Sequence, residues 1–350
     1  MKILFIGSLE NYGTCFHRME SLIDLGHNIE RLDTRKKEWK MFRWLEVVLK
    51  KVDYHLFDWR LDPTSVNTRL KKIVSESSGF DLIWFEKPLM IRPITLMWLR
   101  SAFPATILVS YSPDDQLNPS NHSKQYLNCL PFYDIAFTNK SFNVNELKKI
   151  GARQVFLVGN GFNPGVHRPI ELTLAERERF ASKVCFIGSY EEQRGLWLKQ
   201  LAADSLQIKI WGNGWANTDL SRLFPEVVMG RAVYGNEYAK TICASEINLC
   251  FLRKANRDRI TTRSIEIPAC GGFMVAERTD EHLEYFEEDK EAVYFSSYEE
   301  LKDKIIYYLK NPRIRQTIAK AGRKRCLRSG YSNQDQMRKI MSRVLDFKTG

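Results

Sequence analysis

Apolar residues fall in short runs that close on a glycine, and segments of helical spacing follow them. Residues 2–7 form such a run, rich in Ile and Leu and ended by Gly7, and it reads as a buried parallel strand. A polar loop over 8–14 contains Gly13, residues 16–25 carry helical spacing stopped by Gly26, and 29–32 reads as the next strand. The rhythm continues with strands at 81–85, 106–111, 135–138 and 155–158, and helices at 94–100 and 141–150. Strand, loop, helix and strand in this order predict a doubly wound parallel sheet.

The pattern then starts again. Residues 161–169 hold Gly161, Pro164, Gly165 and Pro169, the composition of a turn-rich crossover, and a charged helix is predicted over 174–181. Val184-Cys185-Phe186-Ile187-Gly188 repeats the opening strand-and-glycine signature, and 206–211, 247–252 and 273–275 read as further strands. Helices are predicted over 196–203, 238–244, 264–269, 298–309, 313–327 and 334–346. Two restarts of similar length predict an α/β chain of two Rossmann-like domains with mostly parallel sheets facing a central cleft. The expected divisions are 1–170, 171–330 and a last helix, 331–350, crossing back to the first domain. Ligands of open α/β sheets bind beyond the carboxyl ends of the strands, which directs attention to the loops after Ile6 and Ile187.

Composition changes this picture little. The 350 residues are 44% hydrophobic and 27% charged, ordinary values for a globular chain with material for two cores. The net charge of +11 adds something. Residues 311–350 hold eleven Lys/Arg against two Asp/Glu, and 35–72 hold eleven against five, so the excess is local and favours anionic partners. The seven cysteines are scattered singly without a C-x-x-C pair, which points to a reduced cytoplasmic setting, and no His/Cys spacing suggests a zinc site. The first residues lack the apolar length of a signal peptide, and no run reaches the ~20 apolar residues of a spanning helix. The expected location is cytoplasmic, with room for a peripheral position at the inner membrane face.

The most informative block runs from Asp258 to Glu281. Asp258 and Glu266 are separated by seven residues. With a helix opening near Ser264, the backbone at Thr261 and Thr262 suits a phosphate, Arg263 suits a phosphate oxygen, and Glu266 in the first turn suits ribose hydroxyls. On spacing alone, a helix with an acidic first turn followed by a Gly turn accounts for the same residues.

The block resembles the donor motif of group-1 retaining glycosyltransferases, E-x7-E followed by A-x-A-C-G. Glu266-Ile267-Pro268-Ala269-Cys270-Gly271 matches the second Glu and its tail, with Asp258 in place of the first Glu and Thr261-Thr262 in place of a glycine-containing pair. Gly159-Asn160-Gly161-Phe162-Asn163 to Pro169 resembles the family's N-G-V-D…P crossover. Phe186-Ile187-Gly188-Ser189 to Arg194-Gly195 resembles its strand-G-R…K-G segment, with Ser189 at one of the two basic positions. Gly212 and Gly230-Arg231 lie in segments similar to the loops beside the nucleobase. The strings Phe251-Leu252-Arg253-Lys254-Ala255-Asn256-Arg257-Asp258 and Ala276-Glu277-Arg278-Thr279-Asp280-Glu281-His282 resemble the spore-maturation, CgeB-type branch. The resemblance implies the GT-B fold and transfer of a sugar, with retention, from a nucleoside-diphosphate donor to an acceptor hydroxyl in coat or surface glycan synthesis. It implies no permanently bound cofactor; the donor, a UDP-sugar by preference, enters as substrate. Gly188, Arg194, Gly212, Gly230, Arg231, Thr261, Thr262, Arg263 and Glu266 then line the donor, with Asp258 near its sugar and Gly13 facing it from the first domain. Without a convincing D-x-D loop, no catalytic metal is required.

In the first half, Asp114 and Asp115 follow the strand 106–111, where a carboxylate suits an acceptor hydroxyl or its proton; both also suit a turn. Glu86-Lys87-Pro88 stands in a similar place, and His17 begins a helix at the first loop. Residues 36–61 combine cations at helical spacing with tryptophans, which fits either a membrane-surface helix or an ordinary surface helix packed on the sheet. The acceptor is expected to be carbohydrate, protein or lipid-linked. Other readings are a sugar-nucleotide epimerase or hydrolase, or a non-catalytic sugar-nucleotide-binding protein. The split of the positive charge and the lack of a binding motif argue against nucleic acid.

Overall fold

The computed structural model describes residues 1–35, 61–119, 121 and 123–349. The basic segment 36–61 therefore falls, except for Leu61, outside the described residues. The chain divides into two compact units: unit 1 comprises Met1–Gly159 with Gln334–Gly350, and unit 2 is Asn160–Asn333.

Unit 1 runs β1 (Lys2–Gly7), α1 (Thr14–Asp24), β2 (Asn28–Asp33), α2 (Val66–Glu76), β3 (Leu82–Glu86), α3 (Pro93–Ala102), β4 (Ile107–Ser112), α4 (Lys124–Cys129), β5 (Ile135–Thr138), α5 (Ser141–Lys149) and β6 (Val155–Leu157). Its six strands lie in the order β2-β1-β3-β4-β5-β6, all pairs parallel. The inner strands β1, β3, β4 and β5 are covered on both faces and are buried almost throughout, whereas edge strand β2 is polar and mostly open to solvent. Leu4, Ile6, Ile83 and Phe85 pack into one core cluster, while Ile3, Phe5, Trp84 and Val109 pack into another.

Unit 2 runs α6 (Leu174–Phe180), β7 (Ser182–Ile187), α7 (Glu192–Ala203), β8 (Ile208–Trp211), α8 (Asp219–Leu223), α9 (Gly235–Ala244), β9 (Ser245–Cys250), α10 (Arg263–Ala269), β10 (Met274–Glu277), α11 (Asp280–Tyr285), β11 (Val293–Phe295), α12 (Tyr298–Lys310) and α13 (Pro312–Arg328). Its five strands lie in the order β11-β10-β9-β7-β8, again all parallel. The last helix, α14 (Asn333–Thr349), places Met337, Ile340, Met341 and Val344 in the core cluster of Ile3, Phe5 and Trp84. Their 3–4-residue spacing gives one apolar stripe.

The two sheets share one plan. In each, the second strand lies on one side of the first and the later strands on the other. The order reverses between β1 and β3 in unit 1 and between β7 and β9 in unit 2, and that switch point is where open α/β sheets bind ligands. The chain is tight there. A Cβ on Gly7 would lie 2.5 Å from Cys15 Sγ and 2.9 Å from Glu86 Cβ.

Several short elements carry too little periodicity to be marked in the sequence. β11 has three residues and α8 five. α2 has the apolar spacing, but the residue before it, Ser65, is left-handed and makes no side-chain cap. β8 opens at Ile208, two residues later than the apolar pattern suggests.

Candidate functional site

The switch point of unit 2 gathers most of the residues singled out from the sequence. Gly188 follows β7, and Trp215 Nε1 donates to its carbonyl at 2.8 Å. Gly212 follows β8, and a Cβ there would lie 2.0 Å from the Gly188 carbonyl oxygen, so only glycine lets these two backbones pass. Arg194, in the first turn of α7, is 3% exposed, and its guanidinium stands 5.6 Å from the centre of the Phe186 ring. Its Nη2 is 2.8 Å from Glu191 Oε2, yet neither Nε nor Nη2 is aligned with a hydrogen-bond acceptor. Arg263 Nε is likewise buried without one.

The electrostatics are those of a site short of negative charge. Burial lowers the Arg194 pKa, Glu191 opposes that, and the neighbouring cations Arg263 and Arg253 lower it further. Glu191 also accepts from Arg253 Nε at 2.9 Å, so one carboxylate serves two guanidiniums across the switch point. Buried N–H groups without acceptors are costly, and an anion delivered there would satisfy them.

Glu266, in the first turn of α10, is 7% exposed. Tyr238 Oη of α9 donates to its Oε2 at 2.9 Å. His167, in the crossover, accepts from the Asn163 amide through Nδ1 at 3.0 Å, so the neutral ring carries its proton on Nε2, 3.7 Å from Glu266 Oε1. Burial lowers the His167 pKa, against the pull of Glu266. The glutamate is thus held from two sides.

Thr261 is buried, its amide donating to Ser264 Oγ at 3.2 Å, while the carbonyl of Thr262 accepts from the amides of Ile265 and Glu266. Asp258 closes its own turn: Asn256 Nδ2 donates to its Oδ1 at 2.7 Å and the Arg253 amide reaches its Oδ2 at 3.4 Å. Gly230 is left-handed, with φ of +92°, and Arg231 beside it is an exposed side chain paired with Glu237 at 3.0 Å.

Unit 1 has its own cluster at the β1/β3 switch point. Glu86 is buried, accepts from Arg18 Nε at 3.1 Å and from Trp84 Nε1 at 3.0 Å, and forms an ion pair with Arg18. Arg18 lies 4.5 Å from the centre of the Tyr111 ring. Lys87, left-handed at φ +45°, pairs with Asp114. The adjacent carboxylates diverge. Asp114 stays partly exposed, whereas Asp115 is fully buried and accepts from Asn143 Nδ2 at 3.0 Å and the Leu117 amide at 3.1 Å, which fits loop fixation. Gly13 precedes α1, and its carbonyl accepts from the His17 amide at 3.1 Å. His17 itself is buried.

Arg18, His167, Tyr238 and Glu191 are not marked by sequence spacing. His167 sits two residues before Pro169 in the crossover and Tyr238 lies in an unremarkable helix, so neither signals its contact with Glu266. Among the described residues, no three His, Cys, Asp or Glu side chains cluster as a metal site, and no helix is long and apolar enough to cross a membrane.

A family model described as glycosyl transferase-like matches residues 193–342, which lie almost wholly in unit 2. No curated protein matches the chain in sequence. Sucrose-phosphate synthase from Thermosynechococcus elongatus superimposes with a TM-score of 0.69 at 12% identity, over 99% of this chain and 100% of that one. HepE from Anabaena, solved with UDP-glucose, gives 0.65 at 14% identity over 99% and 100%. A glycosyltransferase from Rickettsia africae gives 0.62 at 12% identity over 99% and 98%. The fold is the GT-B fold, two α/β domains each built on a parallel sheet.

Proposed function

We propose that this chain transfers a sugar from a nucleoside-diphosphate sugar, by preference a UDP-sugar, to an acceptor hydroxyl, and that unit 2 holds the donor. The observation that carries the reading is the buried Arg194 guanidinium, whose Nε has no acceptor and whose Nη2 has only the Glu191 carboxylate that Arg253 shares, beside Arg263. A diphosphate supplies the charge and the oxygens that this site lacks. HepE was solved with UDP-glucose, which supports the choice of donor.

In this reading Glu266, held by Tyr238 and His167, accepts from the ribose hydroxyls, and the loops at Gly212 and Gly230-Arg231 flank the base. Gly188, Thr261 and Thr262 border the phosphates, Gly13 of unit 1 takes part from the loop before α1, and Asp258 shapes the turn beside the donor sugar. The bond between the anomeric carbon and the β-phosphate oxygen breaks, and the acceptor oxygen takes its place with retention. Arg194 and Arg263 stabilise the charge that develops on the departing diphosphate, which also receives the acceptor's proton. The reading gives no step to a metal. The acceptor is assigned to unit 1, where Asp114 is the accessible carboxylate and Asp115 fixes its loop. The CgeB-type branch and a coat or surface glycan product follow from the sequence strings around Asp258 and His282.

The test is a thermal-shift panel of UDP-, GDP-, ADP- and dTDP-sugars on the wild type, Glu266→Ala and Arg194→Ala. A ligand at about 100 times its Kd adds about 2.7 kcal/mol of stability. The expected result is a shift with one base that both variants lose. A flat panel on the wild type overturns the reading.

A further inference from the structure

The two strings that the sequence sets apart, 251–258 and 276–282, are bonded to each other. The Leu252 amide donates to Glu277 Oε1 at 2.7 Å, and Lys254 pairs with the same carboxylate. Thr279 Oγ1 donates to the Arg259 carbonyl at 2.6 Å, and Arg259 lies 4.0 Å from Glu281. At the centre is His282 of α11, with no exposed surface. Its Nδ1 stands 2.6 Å from the Glu277 carbonyl and its Nε2 stands 2.7 Å from Ser264 Oγ, which is also fully buried.

The proton positions follow from the partners. A carbonyl only accepts, so Nδ1 carries the hydrogen and Nε2 is the acceptor. The Ser264 hydroxyl then donates to Nε2 and accepts the Thr261 amide at 3.2 Å. The result is one directed chain from the Thr261 N–H through Ser264 and His282 to the Glu277 carbonyl. Burial pushes the His282 pKa down to about 4, which keeps the ring neutral, as this chain requires. Tyr294 stacks on the ring at 5.5 Å and donates to the His282 carbonyl at 2.8 Å, fixing the ring plane. Ser264 and His282 lie too deep to meet a ligand, so the pair is no nucleophile-and-base arrangement despite its geometry.

We infer that His282 and Ser264 are positioning residues for the donor site: the neutral imidazole locks the turn 261–263 so that Arg263 meets the donor diphosphate beside Arg194. The inference rests on the donor-site reading above. It assigns a purpose to the string 276–282, which lies outside the ligand shell and clamps the loop that forms that shell.

Two substitutions separate the bonds of the ring. In His282→Asn the amide replaces Nδ1 and keeps the Glu277 contact but loses Ser264. In His282→Gln the amide reaches the Nε2 position and keeps the Ser264 contact. Ser264→Ala removes one oxygen and decides the matter if His282→Asn does not fold. The measurement is the Kd for the shifting nucleotide sugar, with KM and kcat, on variants whose circular dichroism matches the wild type. His282→Asn and Ser264→Ala are expected to weaken donor binding about tenfold, the equivalent of one buried hydrogen bond, while His282→Gln stays within a few-fold of wild type. Lower melting temperatures with unchanged Kd and KM in His282→Asn and Ser264→Ala overturn the inference and leave the pair a purely structural one. Glu266→Ala and Arg194→Ala serve as controls: if they too leave the Kd unchanged, the donor-site reading fails first.

Discussion

Inside unit 2, two imidazoles are held neutral by contacts that a charged ring would break. His282 gives a hydrogen to a carbonyl and takes one from a hydroxyl, and His167 takes one from the Asn163 amide. Protonation of either ring puts a hydrogen where an acceptor is needed. The folded pKa of His282, about 4, lies below its ordinary 6.5, so the unfolded chain binds the proton more readily. Stability is therefore complete above pH 6.5 and is lost progressively as the pH falls toward 4, by roughly 3 kcal/mol for this one ring. His167 acts in the same sense. Urea unfolding at pH 7.5 and pH 5 is expected to show lower stability at pH 5, with a smaller loss in His282→Gln. An equal loss in the variant would place the acid sensitivity elsewhere.

Among the elements, the β7 and β8 ends depend on two glycines that are not interchangeable with others nearby. At Gly212 an added Cβ meets a backbone oxygen at 2.0 Å, and nothing short of separating the two loops relieves that contact. At Gly230 the backbone is left-handed, but nothing stands within 4 Å of an added Cβ. Gly230→Ala therefore carries only the conformational cost of about 1–2 kcal/mol, while Gly212→Ala is expected to cost about 3 kcal/mol or more. Urea midpoints with unchanged m-values check the difference. Equal losses would show that the β8 loop yields and that Gly212 is kept for its φ alone. The same crossing carries the Gly188 carbonyl, so Gly212→Ala is expected to lower donor affinity along with stability.

At the scale of the whole chain, unit 1 is completed by its last segment. Met337, Ile340, Met341 and Val344 of α14 are buried in one cluster with Ile3, Phe5, Trp84 and Val109 of the distant strands β1, β3 and β4, and Gln336 Oε1 accepts the Gly159 amide at 3.1 Å. Lys348 reaches Asp81 at 3.1 Å and Gln334 reaches Asp24 at 3.0 Å. Four buried side chains at ~1.5–3 kcal/mol each approach the ~5–15 kcal/mol by which a domain is stable. Deleting residues 334–350 is expected to unfold unit 1 or leave it binding a hydrophobic dye at 25 °C. A truncated chain with the full-length melting temperature would show that α14 is dispensable.

The sequence alone carried the architecture. Runs such as Ile3–Ile6 and Val184–Ile187, buried on both faces and ended by glycine, have few solutions other than a parallel sheet between helices, because local periodicity and burial act on the same residues. It also marked Arg194, Arg263 and Glu266, since their spacing is local and resembles a known motif. Tertiary structure alone decided what those groups touch. Asp114 and Asp115 are equivalent as text, but Asn143, 28 residues on, draws Asp115 inward. Glu266 finds Tyr238 and His167, and Ser264 finds His282, through contacts spanning 18 residues or more. A buried polar group must be satisfied by whatever the packing brings near it, and that partner is set by how the elements stack, which no spacing along the chain records.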